Sequence, residues 1–420
     1  MSSQQAVTSD RDLASRPVGY FVHHHGHGHA KRCVAIVHEL APRPVTIFCA
    51  RTDIFPKLPA NATLVRLPDF HSKPSRSDRL HNEPACQALD CAPVGVSAIR
   101  GTGGIIAAWL ARQDPVLLVV DVSAELAILG RICSVPVVKI RMHGDRDDQA
   151  HRAAYSACTG LLAPFHETLE QPDWPDQFRQ RTFYSGGLID TRKPLLERSE
   201  AREKLGLDAD QQVFVAIAGN GGVGIPVAPI TVAARAYPDA LWLTVGKTVR
   251  YGHETDFSNV VNVGWVNNVN DYLAAADVVI ATPGDTLTHE IARVGRPLIC
   301  IPEWCYYAEQ VCKAQALEAR NLAAYSPVWP ASYRQWRDLV DRALSCDVSN
   351  QASLVDDQAG HRAAIYLEEL IQSLWVDASP DELLAERQTD CYETVSVSDV
   401  LGQDYSLLTE NNEGEALGRS

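Results

Sequence analysis

The sequence predicts an α/β protein built from two doubly wound domains that face a cleft. Apolar runs of strand length alternate with helical patterns along most of the chain. These runs are continuous in valine, isoleucine and leucine, which is typical of parallel strands buried on both faces of a sheet. The pattern restarts after Gly186, and 420 residues are too many for one ordinary core, so two domains are expected.

The first half contains six predicted strands, with helical patterns between them. The strands are Val18–Val22, Val45–Cys49, Thr63–Arg66, Val116–Asp121, Val135–Ile140 and Gly160–Ala163, and the helices include His29–Leu40 and Ala124–Cys133. Alternating strands and helices imply right-handed crossovers and a layered parallel sheet. The stretch from Phe70 to Gly104 is long and poorly patterned, and we expect it to contribute to substrate specificity.

The second half repeats this layout. Its predicted strands are Val213–Ala218, Leu241–Val245, Val260–Val263, Asp277–Ala281 and Pro297–Ile301, and its helices are Glu200–Leu205, Val269–Ala275, Thr286–Val294, Tyr306–Arg320 and His361–Leu374. The last helix is expected to cross back to the first domain. The predicted organisation is a disordered leader (1–16), an N-terminal domain (17–186), a C-terminal domain (187–355), a crossover helix (356–375) and an acidic tail (376–420).

Composition excludes several classes of function. The formal net charge of -14 and the pI near 5.4 argue against general nucleic-acid binding, which needs a basic face. No apolar run approaches the roughly 20 residues that span a bilayer, so stable membrane insertion is not expected. The eleven cysteines are scattered without paired spacing, which is typical of reduced residues in a cytoplasmic protein.

The segment IATPGDTLTHEIARVGRP predicts a strand, a turn and a helix that form an anion site. Gly284 ends the strand, and the hydroxyls of Thr286 and Thr288 lie near the helix N-terminus, which is suited to a diphosphate. Glu290 lies in the second turn, where a carboxylate is better suited to binding ribose hydroxyls. Ordinary helix capping is the alternative.

Two further loops follow predicted strands of the second half. VFVAIAGNGGVG places Asn220, Gly221 and Gly222 after a buried strand, where glycine N–H groups can bind phosphate oxygens. It lacks the dinucleotide fingerprint, so a tight turn is the alternative. The loop around Val266 could present backbone groups to the edge of a base, or be a plain connection.

The second half resembles the donor-binding C-terminal domain of glycosyltransferase family 28. The shared features are a strand, a glycine turn, E-I-A-x-x-G-x-P, a strand ending in I-P, and a helix that carries two adjacent polar residues. The match covers Gly219 to Ala324 well and the first domain more loosely. The family has the GT-B fold, with two Rossmann-like domains that face a cleft.

The resemblance implies a donor site for a nucleotide diphosphosugar. It places Gly284, Asp285, Thr286, Leu287 and Thr288 at the diphosphate, Glu290 at the ribose, Val266 at the base, Asn220, Gly221 and Gly222 near the phosphates, and Glu309 and Gln310 at the donor sugar. Two residues depart from the family. Glu309 replaces a usual glutamine, and Asp285 replaces a small residue, which puts an anion beside the expected diphosphate.

The resemblance also gives a role to the loop HHHGHGH. His29 stands where the family has a histidine after the first strand, and a neutral imidazole can take the proton of an attacking hydroxyl. Asp121 ends another strand and either orients His29 or binds acceptor, with capping of the next helix as the alternative. The residues expected on the acceptor side are His25, Gly26, His27, Gly28 and His143. A metal site made by the histidines is a further alternative, although no cysteine or carboxylate cluster accompanies them.

The function implied is an inverting glycosyltransferase of the hexosyltransferase type, without cofactor or bound metal. It would move a sugar from a UDP- or dTDP-sugar to a hydroxyl or amine of a small-molecule or glycan acceptor, with His29 as general base. A UDP-GlcNAc 2-epimerase-like enzyme and a non-catalytic sugar-nucleotide-binding protein are the alternatives.

Overall fold

Two parallel sheets form the frame of the molecule. The computed structural model describes residues 10–55, 57–69, 78–191, 194–219 and 222–376. All strand pairs among these residues are parallel. Both sheets belong to one compact unit that ends at Trp375. We call the part around each sheet the first lobe and the second lobe.

The first lobe contains a seven-stranded sheet. Its strands are β1 (Val18–Phe21), β2 (Val45–Cys49), β3 (Ala62–Arg66), β4 (Leu117–Asp121), β5 (Val137–Ile140), β6 (Gly160–Ala163) and β7 (Thr182–Tyr184). The spatial order is β3-β2-β1-β4-β5-β6-β7. The chain therefore changes direction of travel across the sheet between β1 and β4, and ligands of open α/β sheets bind at such a switch point.

The second lobe contains a six-stranded sheet and a small two-stranded one. The strands are β8 (Val213–Ile217), β9 (Ile225–Pro226), β10 (Leu241–Val245), β11 (Thr248–Val249), β12 (Val260–Gly264), β13 (Val278–Ala281), β14 (Leu298–Cys300) and β15 (Ala324–Tyr325). The large sheet has the order β12-β10-β8-β13-β14-β15, and β9 pairs with β11. Its switch point lies between β8 and β13.

Helices cover both faces of the sheets. They are α1 (Asp10–Ser15), α2 (Gly28–Glu39), α3 (Asp78–His81), α4 (Ser97–Gln113), α5 (Ala124–Ile132), α6 (Gln149–Ala157), α7 (Asp176–Arg179), α8 (Arg198–Leu205), α9 (Val227–Ala236), α10 (Val269–Ala275), α11 (Asp285–Val294), α12 (Glu309–Ala319), α13 (Tyr333–Ser345) and α14 (Ala359–Trp375). Short 3-10 turns occur at Glu167–Leu169, Tyr306–Ala308 and Val348–Leu354. None of the described helices is long and apolar enough to cross a bilayer.

The last helix returns to the first lobe. Ala363, Leu367 and Ile371 of α14 are fully buried in the same apolar cluster as Val18 of β1. Trp375, the last residue of α14, donates its indole N–H to the Val116 carbonyl at 2.9 Å. The chain therefore links the lobes twice, once after β7 and once before α14.

The fold class predicted from the sequence is confirmed, because both halves are parallel doubly wound sheets. The structure differs in detail. The α4 helix begins inside the stretch from Phe70 to Gly104 that was expected to be poorly patterned. Three glycines, at 101, 103 and 104, weaken the helical pattern of its sequence, while Ile106 and Leu110 hold the helix in the core. The expected disordered leader contains α1, whose Leu13 is buried in the first-lobe core. The rest of that leader and the tail from 377 lie outside the described residues.

Candidate active site

The candidate site lies where the two switch points face each other. In the first lobe, the histidine loop follows β1 and Asp121 ends β4, on the two sides of the switch. In the second lobe, the glycine-rich loop follows β8, and α11 follows β13. The lobes approach closely here, since a Cβ added to Gly28 would lie 3.1 Å from Thr286 Oγ1.

His29 and Asp121 form a hydrogen-bonded pair in the first lobe. His29 is the second residue of α2, and its Nδ1 lies 2.7 Å from Asp121 Oδ2. The Asp121 side chain is fully buried, whereas that of His29 is 19% exposed. Burial alone would raise the pKa of the Asp121 carboxyl, but the charge of Arg32 and the contacts of His29 outweigh it and hold the pKa well below its usual range. Asp121 is therefore an anion that can orient the imidazole.

The backbone that carries Asp121 is strained and supported. Val122 has φ 73°, a left-handed conformation that is a genuine outlier for a β-branched residue. The buried Lys139 of β5 donates its ammonium group to the Val122 carbonyl. Strained conformations of this kind persist only where neighbouring contacts hold them. Lys139 thus fixes the turn that aims Asp121.

A buried arginine connects this pair to the second lobe. Arg32 is one turn after His29 and only 3% exposed. Its Nη2 lies 2.9 Å and 3.1 Å from the two Asp121 oxygens and 2.8 Å from His29 Nδ1. Its Nη1 donates to Asp285 Oδ2 at 3.0 Å, across the cleft. Asp285 is also ion-paired with the fully buried Lys313 of α12.

The start of α11 offers a limited set of backbone donors. Helix geometry leaves the N–H groups of Asp285, Thr286 and Leu287 without acceptors in the helix, whereas the N–H of Thr288 binds the Gly284 carbonyl at 3.0 Å. The side chain of Thr288 is 2% exposed, and Leu287 packs against the second-lobe core. The expectation that the Thr288 hydroxyl faces a diphosphate is therefore wrong, because the helix turns that residue inward.

A second contact between the lobes joins the loop after β5 to the 3-10 turn at Tyr306–Ala308. The Tyr307 carbonyl accepts a hydrogen bond from the Asp145 N–H at 2.6 Å. The centroid of the Tyr307 ring lies 4.5 Å from the Arg146 guanidinium carbon. Arg146 also donates to Glu309 Oε2 at 3.0 Å. Tyr307 and Ala308 both have positive φ, 60° and 50°. The second lobe thus inserts a strained turn against the first.

Glu303, which follows β14, occupies the glycine-rich loop. Its two carboxylate oxygens accept the N–H groups of Val223 at 2.8 Å and Gly224 at 3.2 Å. The Glu303 N–H donates to Gln310 Oε1 at 2.8 Å. A carboxylate on two successive backbone N–H groups shows that this loop binds an anion. Gly222 lies against Glu303, whereas Asn220 and Gly221 lie outside the described residues.

The remaining histidines of the first loop lie close to one another. The rings of His23 and His24 stack with centroids 5.0 Å apart. The pKa of His23 is lowered to about 3, mainly by burial and to a smaller extent by the nearby His29. Within the described parts of the chain, no group of three histidine, cysteine or acidic side chains is arranged to hold a metal ion. His25 is exposed, Gly26 has φ +70°, and His27 is the residue before α2.

His143 does not face the cleft. It is fully buried, its Nε2 lies 2.8 Å from the Leu169 carbonyl, and its ring packs on Phe165 with centroids 4.0 Å apart. Burial lowers its pKa well below the usual range, so it is a neutral core histidine. The predicted acceptor contact of His143 is therefore wrong, because the loop after β5 turns this residue toward the core.

Comparison with known proteins supports the fold. No protein-family profile and no curated protein sequence match the chain. A glycotransferase of kitacinnamycin superposes with a TM-score of 0.58 at 15% identity, over 85% of this chain and 99% of that one. A UDP-glucosyltransferase from Polygonum tinctorium gives 0.61 at 14% identity, over 86% and 99%. Acinetobacter baumannii MurG gives 0.55 at 11% identity, over 84% and 99%.

The chain has the GT-B fold. Identity this low establishes the architecture alone, so the chemistry of this GT-B protein rests on its own residues.

Of the other predicted site residues, Glu290 is half-buried with Lys31 Nζ 3.4 Å away, and Val266 packs against the second-lobe core. Glu309 faces Arg146 rather than open space.

Sequence reasoning missed three charged residues of this GT-B cleft. Arg32 lies three residues after His29, which is the spacing that places two side chains on one helix face. That spacing could have pointed to it. Lys313 and Glu303 gave no such signal, since their partners are 28 and 79 or 80 residues away along the chain.

The buried His289 makes the stability of the protein depend on pH. Burial, with a smaller effect of Arg32, lowers its pKa from 6.5 to about 4, so the folded state keeps the ring neutral. Between pH 6.5 and 4 the unfolded chain binds the proton more readily, and stability falls as the pH falls. Replacing His289 by Gln should reduce the loss of unfolding free energy between pH 7 and pH 5 by about 2 kcal/mol. Urea unfolding at the two pH values measures this.

The exposed His38 provides the control for that measurement. His38→Gln should leave the pH dependence as in the wild type, since the His38 side chain is 55% exposed. An unchanged pH dependence in His289→Gln would contradict the assignment of a buried neutral ring.

Proposed function

We propose that this protein is an inverting glycosyltransferase that uses a UDP- or dTDP-sugar, with His29 as its general base. The observation that carries the proposal is the placement of the His29–Asp121 pair beside the N-terminus of α11. That placement supports a proton acceptor in the first lobe facing backbone N–H donors for an anion in the second lobe. The solved structures of similar fold include enzymes named for UDP-sugar donors, which supports the choice of donor.

The donor side is assigned to the second lobe. The free N–H groups at the start of α11 would bind the diphosphate, helped by the helix dipole. The Asp285 carboxylate is held by Arg32 and Lys313, so its negative charge is compensated before a diphosphate arrives. Glu290 would bind the ribose and Val266 would lie against the base, as the likeness to glycosyltransferase family 28 implies.

The transfer step follows from these positions. The acceptor O–H gives its proton to the unprotonated His29 nitrogen while its oxygen forms a bond to the anomeric carbon. The bond between that carbon and the diphosphate oxygen breaks, and its electron pair leaves with the nucleoside diphosphate. Asp121 stabilises the imidazolium through Nδ1–H, and the α11 N–H groups stabilise the leaving charge. Attack opposite the leaving group inverts the anomeric centre.

The epimerase alternative has less support. It needs acid and base residues near the donor sugar, and Glu309 was its candidate. That carboxylate is ion-paired with Arg146 at 3.0 Å and helps to join the lobes. A paired carboxylate in a contact between lobes is a poor proton carrier.

A thermal-shift panel tests the donor assignment. UDP-, dTDP- and GDP-sugars are added at saturating concentration, and a ligand at 100 times its Kd stabilises the folded state by about 2.7 kcal/mol. We expect a UDP- or dTDP-sugar to raise Tm and Glu290→Ala to reduce that rise, because the variant lacks the ribose-binding carboxylate. No rise with any nucleotide sugar would refute the proposed function.

Removing the base separates chemistry from binding. His29→Ala should leave the Kd of the donor nearly unchanged and lower turnover by a factor of about 10²–10⁴, because proton removal is lost while the second lobe is intact. Turnover is measured as nucleoside diphosphate release, with acceptor present. His38→Ala on the exposed face of the same helix is the control and should retain activity. A His29→Ala enzyme within a few-fold of wild type would exclude the base role.

Glu303 should compete with the donor for the glycine-rich loop. Its carboxylate now accepts the Val223 and Gly224 N–H groups, and Glu303→Gln leaves them with a weaker, neutral acceptor. We expect UDP to bind about five-fold more tightly to the variant, measured by isothermal titration calorimetry.

A matched control exists in the same lobe. Glu254 also accepts backbone N–H groups, from Tyr251, Gly252 and His253, in an exposed loop, and Glu254→Gln should leave UDP binding unchanged. If Glu303→Gln weakens UDP-sugar binding and leaves UDP binding unchanged, Glu303 binds the sugar instead and the competition is refuted.

A further inference from the structure

Two contacts of His29 Nδ1 exclude each other. Asp121 Oδ2 lies 2.7 Å from this nitrogen and needs a proton on it. Arg32 Nη2 lies 2.8 Å from the same nitrogen and, being a donor only, needs its lone pair. A neutral imidazole carries one proton. The direction in which Nη2 donates therefore decides which ring nitrogen is protonated.

The other bonds of Arg32 select between these states. Nη2 lies 2.9 Å and 3.1 Å from the two Asp121 oxygens, which can share a hydrogen from it. While Nη2 donates to Asp121 and not to His29, Nδ1 donates to Asp121 and Nε2 is the unprotonated nitrogen. If Nη2 donates to Nδ1 instead, the proton lies on Nε2 and the ring has no free base.

Asp285 supplies the anchor that holds Arg32 in place. It accepts Nη1 at 3.0 Å from the opposite lobe, and it is fixed by the buried Lys313. Asp285 is also the first residue of α11, where a helix N-terminus favours a carboxylate. Among the described residues, Arg32 Nε has no hydrogen-bond partner, so its contacts at Nη1 and Nη2 determine the position of the guanidinium.

We propose that Arg32 is a positioning residue which, while Asp285 of the second lobe holds Nη1, keeps Nη2 on Asp121 and the proton of His29 on Nδ1. The base then exists only when the lobes are in contact. This inference rests on the proposed function, since a base role is what gives the tautomer its meaning. It gives Asp285, which replaces the small residue usual in glycosyltransferase family 28, a role in positioning the base that is separate from donor binding.

The test reads the tautomer directly. Long-range ¹H–¹⁵N spectra distinguish Nδ1–H from Nε2–H, and His29→Gln identifies the His29 signal. Spectra are recorded on the full chain without substrate, at a pH where titration shows the ring to be neutral. The wild type should show Nδ1–H. Asp285→Asn should show an increased share of Nε2–H and about ten-fold lower kcat, because Arg32 is no longer held and can donate to Nδ1.

A second substitution should reverse that change. In Asp285→Asn combined with Arg32→Met no guanidinium can reach Nδ1, so the ring should return to Nδ1–H. If Asp285→Asn fails to fold, Asp285→Glu keeps a charge for Lys313 while displacing the carboxylate, and should show the same shift to a smaller extent. Lys31→Met removes another contact between the lobes without touching Arg32, and should keep the wild-type spectrum.

Each outcome is decisive for one claim. An Nε2–H wild type, or a wild-type tautomer in both Asp285 variants, overturns the inference. A double variant that stays Nε2–H also overturns it, because Arg32 would not be the cause. Since the spectra need no substrate, absence of sugar transfer with the expected tautomer changes would refute the proposed function while leaving the positioning role intact.

Discussion

A buried guanidinium bound by two carboxylates from different lobes is the interaction on which the site depends. Arg32 is 3% exposed, and a charge so far from water is tolerated only when it is paired and hydrogen-bonded. Asp121 meets that need from the first lobe and Asp285 from the second. Removing either partner would leave a buried charge uncompensated, which is far more costly than the loss of an exposed ion pair. The position of His29 follows from this chain of contacts.

The compensated charges also explain how an acidic chain can present an anion site. The formal net charge is -14, and the carboxylates of Asp285, Glu303 and Glu309 are among those that lie along the cleft. Each of them is bound: Asp285 by Arg32 and Lys313, Glu303 by two backbone N–H groups, and Glu309 by Arg146. Charges elsewhere on the surface are screened beyond roughly 8–10 Å at physiological salt. A diphosphate at α11 would therefore respond mainly to these local pairs.

Local sequence patterns predicted what depends on local structure. β2, β6, β10 and α10 have the predicted ends, because a buried parallel strand or a short helix reveals its limits in its own residues. Asp121 and Gly284 were singled out because polar or glycine residues at strand ends collect at one edge of a parallel sheet, and His29 because the resemblance to glycosyltransferase family 28 gives its position a role. Thr288 and His143 were misplaced because side-chain direction depends on the exact start of a helix or the course of a loop. Arg32–Asp285 and Glu303–Gly224 join distant segments, and no local pattern encodes which charges will meet.

Three of the six non-glycine residues with positive φ in the described chain lie at the contact between the lobes or beside the His29–Asp121 pair. Val122, Tyr307 and Ala308 all have positive φ, and such residues cost about 1–3 kcal/mol each. Val122 lies directly after Asp121 and is held by Lys139. The Tyr307–Ala308 turn is held by contacts with the first lobe, among them the 2.6 Å bond from the Asp145 N–H. These conformations are stable only while their partners are in place, so the strained turn and the Arg32 chain favour the same arrangement of the two lobes. The geometry around His29 is thereby tied to both contacts between the lobes.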